Sequence, residues 1–168
     1  MEPILQKKIF PLDQLVSELQ GLQAQGKKAV FTNGCFDLMH VGHTRYLTQA
    51  RKSGDLLIVG LNSDASIARL KGPKRPLVPL DERLEMLANF WFIDFVIPFE
   101  EDTPLNLITA LQPDLLVKGG DWSIDSIVGR EVVEAKGGRV FNIPLVEGRS
   151  TTNLIEKIAH RYGNAAQS

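Results

Sequence analysis

The chain is poor in cysteine, in net charge and in long apolar runs, and each shortage excludes something. A single cysteine, Cys35, cannot close an intramolecular disulfide, which fits a reducing compartment. With 19 Lys and Arg against 20 Asp and Glu, the formal charge is −1, so no global basic field points to a nucleic acid or an anionic membrane as partner. No apolar run reaches the ~20 residues that span a bilayer, and the N-terminus carries no signal-peptide apolar core. Repeats and low-complexity tracts are also missing. What remains is an expectation of a cytoplasmic protein of 168 residues, 43% of them hydrophobic, enough for one domain with a real core.

Strands and helices alternate along it. Leu12, Leu15, Val16, Leu19 and Leu22 fall close to helical spacing within Pro11–Gln25, which predicts a helix in an N-terminal extension over 1–27. The main domain is expected over 28–162 and a flexible tail over 163–168. Predicted strands lie at 28–32, 55–61, 93–97, 115–118 and 139–143. Helices are predicted from about His43 to Arg51, over Asp64–Lys71, Leu80–Asn89, Pro104–Leu111 and Gly129–Ala135, and from about Thr152 to Tyr162. Thr103 reads as the N-cap of the 104–111 helix, with Pro104 at its first position. Such alternation with continuous apolar strands implies a Rossmann-like, three-layer α/β/α fold with a five-stranded parallel sheet. Ligands bind such sheets at the carboxyl ends of the strands, near the switch in strand order. Phe90-Trp91-Phe92, before the third strand, reads as core or as interface.

Two of the three histidines lie three residues apart, in His40-Val41-Gly42-His43, where a strand and a glycine turn lead into a helix. A lone histidine there is as often a cap as a ligand. A pair, with Gly42 permitting close approach, points to an anion held by imidazole N–H groups and a helix N-terminus. No third and fourth ligand stands at metal-site spacing, so the expectation is no protein-bound metal. Further on, Lys71, Lys74 and Arg75 sit in a breaker-rich loop that reads as a closing lid or as a solvated basic turn. Lys118-Gly119-Gly120-Asp121-Trp122 follows a buried strand. Ser150-Thr151-Thr152 precedes the last helix, where hydroxyls cap N–H groups or bind phosphate by the same geometry.

Gly34-Cys35-Phe36-Asp37-Leu38-Met39-His40-Val41-Gly42-His43 resembles the G-x-F-D-x-x-H-x-G-H signature of the cytidylyltransferase-like nucleotidyltransferase superfamily. The likeness continues through Asn62-Ser63-Asp64, Leu70-Lys71-Gly72, Arg75-Pro76, 118–122 and Glu147-Gly148-Arg149-Ser150-Thr151-Thr152-Asn153, covering roughly 28–158. In that combination the chain is most similar to the D-glycero-β-D-manno-heptose 1-phosphate adenylyltransferases. The resemblance implies a nucleotidyltransferase domain that passes AMP from ATP to the sugar 1-phosphate, releasing pyrophosphate and giving ADP-heptose for lipopolysaccharide core or another surface glycan. Catalysis would be positioning and charge stabilisation at the α-phosphorus.

By the same resemblance His40, His43 and Lys71 are the catalytic groups. Thr32, Asn33, Gly34, Cys35, Phe36, Gly42, Lys118, Ser150, Thr151 and Thr152 hold the nucleotide. Asn62, Arg75, Gly120 and Asp121 contact the acceptor, with Asp37 either positioning it or only organising the turn. Mg²⁺ would arrive with ATP. A homodimer and a separate heptose kinase are the implied partners. Leu145 stands where glycerol-phosphate cytidylyltransferases carry arginine, which argues against glycerol 3-phosphate and CTP. The rivals are a cytidylyltransferase for a small phospho-alcohol, an FAD-forming adenylyltransferase and a non-catalytic nucleotide-binding module. Cys35 reads as a small turn residue, not a nucleophile.

Overall fold

The computed structural model describes residues 7–120, 122–144, 148 and 150–163. The elements run α1 (Leu12–Ala24), β1 (Ala29–Gly34), α2 (Val41–Lys52), β2 (Leu56–Asn62), α3 (Asp64–Lys71), α4 (Leu80–Ala88), β3 (Phe95–Phe99), α5 (Leu105–Leu111), β4 (Leu115–Gly119), a 3₁₀ turn (Ile124–Ser126), α6 (Arg130–Ala135), β5 (Arg139–Ile143) and α7 (Thr151–Tyr162). All registered strand pairs are parallel, in the order β3-β2-β1-β4-β5. The expected three-layer α/β/α sheet protein is therefore what the chain forms.

Alternation along the strands sorts the core into two layers, because successive side chains point to opposite faces. Val30, Val59, Val96 and Val117 pack with Tyr46, Leu47 and Ala50 of α2 and Leu87 of α4. Phe31, Ile58, Ile97 and Leu116 pack on the other face with Leu15 and Leu19 of α1, Ile108 of α5 and Val133 of α6. The helix expected as an extension thus supplies two fully buried leucines to the core. The segment before it is also tied in: Val96 N donates to Lys8 O at 2.7 Å, and Phe10 N to Val96 O at 3.2 Å.

Several boundaries differ from expectation, β1 among them, which runs on to Gly34 instead of ending at Thr32. The third strand begins at Phe95, two residues late, because Asp94 turns the chain: its carboxylate accepts Leu57 N at 2.8 Å and pairs with Arg51 at 3.0 Å. That strand runs on through Pro98, which an edge position tolerates because no neighbour needs its missing N–H. Pro104, not Thr103, is the cap residue of α5, and no side chain bonds the exposed N–H groups there. Of the aromatic run, Phe92 is buried and Phe90 packs against the core, whereas Trp91 is 81% exposed.

Strand order reverses between β1 and β4, and there the ladder is short: only Val30–Leu115 and Phe31–Leu116 are in register. Two residues beyond, at the carboxyl ends, Asn33 and Lys118 face each other across the opening crevice. This is where a parallel sheet binds its ligands.

Candidate active site

A cleft of about 510 Å³ opens at that point. It gathers Asn33, Gly34, Cys35, Phe36 and His43 from the first turn, Asn62 from β2, Lys71 from the end of α3 and Lys118 from β4. Of the sequence candidates these eight line one cavity, although their positions span 86 residues from first to last.

Both histidines are built into the start of α2. His40 is its N-cap: Nδ1 accepts Gly42 N at 3.1 Å, and His43 Nδ1 accepts His40 N at 3.4 Å. The rings stack with centroids 3.9 Å apart and 19° between planes. A ring nitrogen that accepts a hydrogen bond carries no proton, so each neutral imidazole keeps its proton on Nε2 and can donate it. Burial, helped by the neighbouring His40, lowers His43 to a pKa of about 4. His43 is therefore neutral at pH 7 and acts as a donor, not as a cation. The cap reading of these histidines is met at their Nδ1 atoms.

Phe36 holds the turn. It adopts φ +43°, a left-handed conformation that costs a non-glycine residue energy. Its ring lies edge-on to His43 at 5.4 Å. A Cβ on Gly34 would come within 2.9 Å of that ring, so glycine is what lets the turn close on it. The Cys35 thiol is pushed up by burial, against the pull of Lys71, Arg83 and Arg75, and stays protonated.

Lys118 is mostly buried. Its Nζ donates to Asn33 Oδ1, and among the described residues it forms no ion pair. Desolvation lowers its pKa to about 8. A phosphate would supply the missing charge.

The other described candidates, His40 among them, do not line the cleft. Thr32 is fully buried, its hydroxyl 2.5 Å from that of Tyr46, which in turn donates to Val117 O at 3.1 Å. Gly42 is buried in the first turn of α2. Gly120, at φ +109°, donates its N–H to Ile143 O at 3.0 Å and turns the chain away from β4. Ser150 caps α7 by accepting Asn153 N at 3.0 Å, and Thr151 Oγ1 donates to Leu38 O at 3.1 Å, tying α7 to the histidine turn. Thr152 lies exposed in the first turn of α7. Asp121, Leu145, Glu147 and Arg149, and the tail from 164, lie outside the described residues.

Asp37 and Arg75 bind each other. The Asp37 carboxylate accepts Arg75 Nε at 2.5 Å, Leu77 N at 2.9 Å and Val78 N at 2.8 Å. Burial alone would raise its pKa; the two backbone N–H groups and the guanidinium outweigh it and hold the pKa low. The basic loop after Lys71 is thereby pinned to the histidine turn.

Arg83 carries no motif, yet no larger side chain is as deeply buried. Its Nη1 donates to Cys35 O at 2.8 Å and Asn62 O at 2.9 Å, Nε to Val78 O at 2.9 Å, and Nη2 pairs with Asp64 at 2.6 Å. One guanidinium thus fixes the ends of β1 and β2 and the basic loop relative to one another. The available signal was positional: Leu80, Arg83, Leu84 and Leu87 share one helical stripe, so a charge occupies a core-facing position.

Among the described residues no three His, Cys, Asp or Glu side chains gather to hold a metal ion, and no helix is long and apolar enough to cross a membrane.

The cytidylyltransferase-like family model matches residues 31–157, from the last buried residues of β1 through most of α7. The chain belongs to the cytidylyltransferase-like family. Within it, the chain is 60% identical over 156 residues to a bifunctional protein HldE of Geobacter sulfurreducens, and 59% identical over 150 residues to that of Trichlorobacter lovleyi. These matches take in 93% and 89% of this chain but 32% and 30% of the relatives, so the chain spans about a third of their length. A lipopolysaccharide core biosynthesis protein of Thermoplasma volcanium has a similar structure, with a TM-score of 0.60 and 27% identity over 74% of this chain and all of its own. A pantoate-beta-alanine ligase of Francisella tularensis shares the fold alone, with a TM-score of 0.59 at 14% identity, covering 96% of this chain and 80% of its own.

Proposed function

We propose that this cytidylyltransferase-like domain is an adenylyltransferase that joins ATP to D-glycero-β-D-manno-heptose 1-phosphate, giving ADP-heptose and pyrophosphate for lipopolysaccharide core or another surface glycan. The observation that carries the reading is the stacked histidine pair at the N-terminus of α2, of which His43, a neutral imidazole with its Nδ1 already accepting, lines the same cleft as Lys118. Its Nε2–H favours an oxyanion whose charge grows, and it costs no reorganisation when it does. The near 60% identity to bifunctional HldE proteins supports the acceptor.

In this reading the sugar phosphate oxygen attacks the α-phosphorus of ATP, a new P–O bond forms, and the bond to the β-phosphate oxygen breaks. His40 and His43 donate to the phosphate oxygens on which charge accumulates, and Lys71 follows the charge from the end of α3. The backbone of 32–36, Gly42, Lys118 and the hydroxyls of Ser150, Thr151 and Thr152 hold the nucleotide. Asn62, Gly120 and Asp121 meet the acceptor. Asp37 and Arg75 set the basic loop beside it, instead of bonding the ligand themselves. ATP enters with Mg²⁺ as part of the substrate. The reading includes a cytoplasmic reaction, a homodimer, and a kinase activity that supplies the sugar 1-phosphate.

Pyrophosphate release is the test. ATP with heptose 1-phosphate should turn over far faster than CTP with glycerol 3-phosphate or ATP with FMN. A preference for either rival pair would overturn the assignment.

A further inference from the structure

The histidine pair and Ser150 all belong to helices that start at the carboxyl edge, and α2 covers the face of Val30 and Val117. The far wall of the cleft comes from three other segments. Leu70 and Lys71 end α3, Asp102 and Thr103 lie between β3 and α5, and Trp122 with Ser126 and Val128 joins β4 to α6. If the nucleotide occupies the histidine side, this wall is what the acceptor meets.

Its composition is specific. Trp122 is 60% exposed and Leu70 46%, and Val128 also stands open to solvent, so an apolar surface lies bare inside a cleft that carries charge. The Trp122 backbone is nonetheless anchored, its carbonyl accepting Asn142 Nδ2. Polar groups line the same cleft. The Asp102 carboxylate is held by Arg69 Nε at 2.8 Å through Oδ1, and a carboxylate has further lone pairs on its other oxygen. Thr103 and Ser126 add hydroxyls. An exposed indole in a cleft that also holds hydroxyl partners suits a polyhydroxylated ring, which shows C–H groups on one side and O–H groups around its edge. A three-carbon phospho-alcohol would leave most of the indole uncovered.

We propose that Trp122 is the platform for the acceptor's sugar ring, with Leu70 and Val128 extending it and Asp102, Thr103 and Ser126 taking ring hydroxyls. This rests on the adenylyltransferase reading and adds where and how that enzyme chooses a cyclic sugar phosphate.

The test compares wild type, Trp122→Ala and Trp122→Phe by pyrophosphate release, with ATP and the sugar 1-phosphate varied separately. Trp122→Ala should raise KM for the sugar phosphate about tenfold, with KM for ATP changed less than about twofold, and Trp122→Phe should restore most of it. A rise in KM for ATP instead would place the indole on the base and overturn the proposal. So would no change in either constant. A binding readout accompanies these: in a Trp91→Phe background, Trp122 emission should shift when the sugar 1-phosphate is added with a non-hydrolysable ATP analogue. Wild-type turnover of the sugar phosphate with Trp122 silent and KM unmoved sinks this proposal alone. Wild type that ignores every sugar 1-phosphate sinks the functional reading and this proposal with it.

Discussion

Replacing Arg83 with methionine keeps most of the side-chain volume and removes every donor. The carbonyls of Cys35, Asn62 and Val78 then lose the guanidinium, and Asp64 loses its ion partner. Each buried acceptor left unpaired costs about 1–3 kcal/mol, and breaking a buried pair as a whole about 3–5 kcal/mol. Asp64 is half exposed and recovers water, so the lower part of that range applies. At about 2–4 °C per kcal/mol for a chain of this size, Tm should fall by roughly 6–15 °C, read by calorimetry. Arg83→Lys keeps a charge but reaches fewer acceptors and should fall between methionine and wild type. Below the transition kcat should still drop by about tenfold or more, because the ends of β1 and β2 shift and small misplacements are costly. A loss under about 1 kcal/mol in the methionine variant would refute the clamp.

Further outcomes follow from the charged groups. Asp37→Asn removes a carboxylate whose pKa is depressed on folding, so it should lose stability above the ordinary carboxylate range and converge with wild type as pH falls through the native pKa. Urea unfolding at pH 7 and pH 3 reads the difference, and limited proteolysis should cut 72–79 faster in the variant. For Lys118, kcat/KM for ATP should fall as pH rises through about 8, since it reports the free enzyme's ionisation. Lys118→Arg should flatten that limb. Folding lowers this lysine from 10.5 to about 8, so the unfolded chain binds more protons in between and wild-type stability should rise with pH there. Lys118→Met should lose that rise.

The sheet was legible because apolar runs at 55–61 and 115–118 are too short for buried helices and alternate with amphipathic segments. Strand order was not, since it depends on which edges meet in space. The histidine turn was legible as a helix start that carries two imidazoles around a glycine. That each ring accepts a backbone N–H of the helix start at its Nδ1 is a matter of distance, invisible in spacing. Thr32 reads as a backbone contact to the nucleotide, and alternation along β1 turns its side chain away to Tyr46. Asp37 and Arg75 both read as acceptor contacts; 38 residues apart, nothing in their spacing said that they hold each other. Arg83 could have been noticed as a charge on an apolar stripe, though its partners lie on three separate segments. The acceptor wall around Trp122 escaped for the same reason: Leu70, Asp102 and Val128 share no motif and meet only once the strands are set side by side.

The measurement closest to the central claim follows the phosphorus atoms. ATP labelled at either the α- or the γ-phosphate is incubated with heptose 1-phosphate, the protein and Mg²⁺, and the products are separated. The account predicts α-label in ADP-heptose and γ-label in pyrophosphate, with both signals abolished in His43→Ala although that variant still binds ATP. γ-Label in a sugar phosphate, or undiminished transfer by His43→Ala, would contradict it.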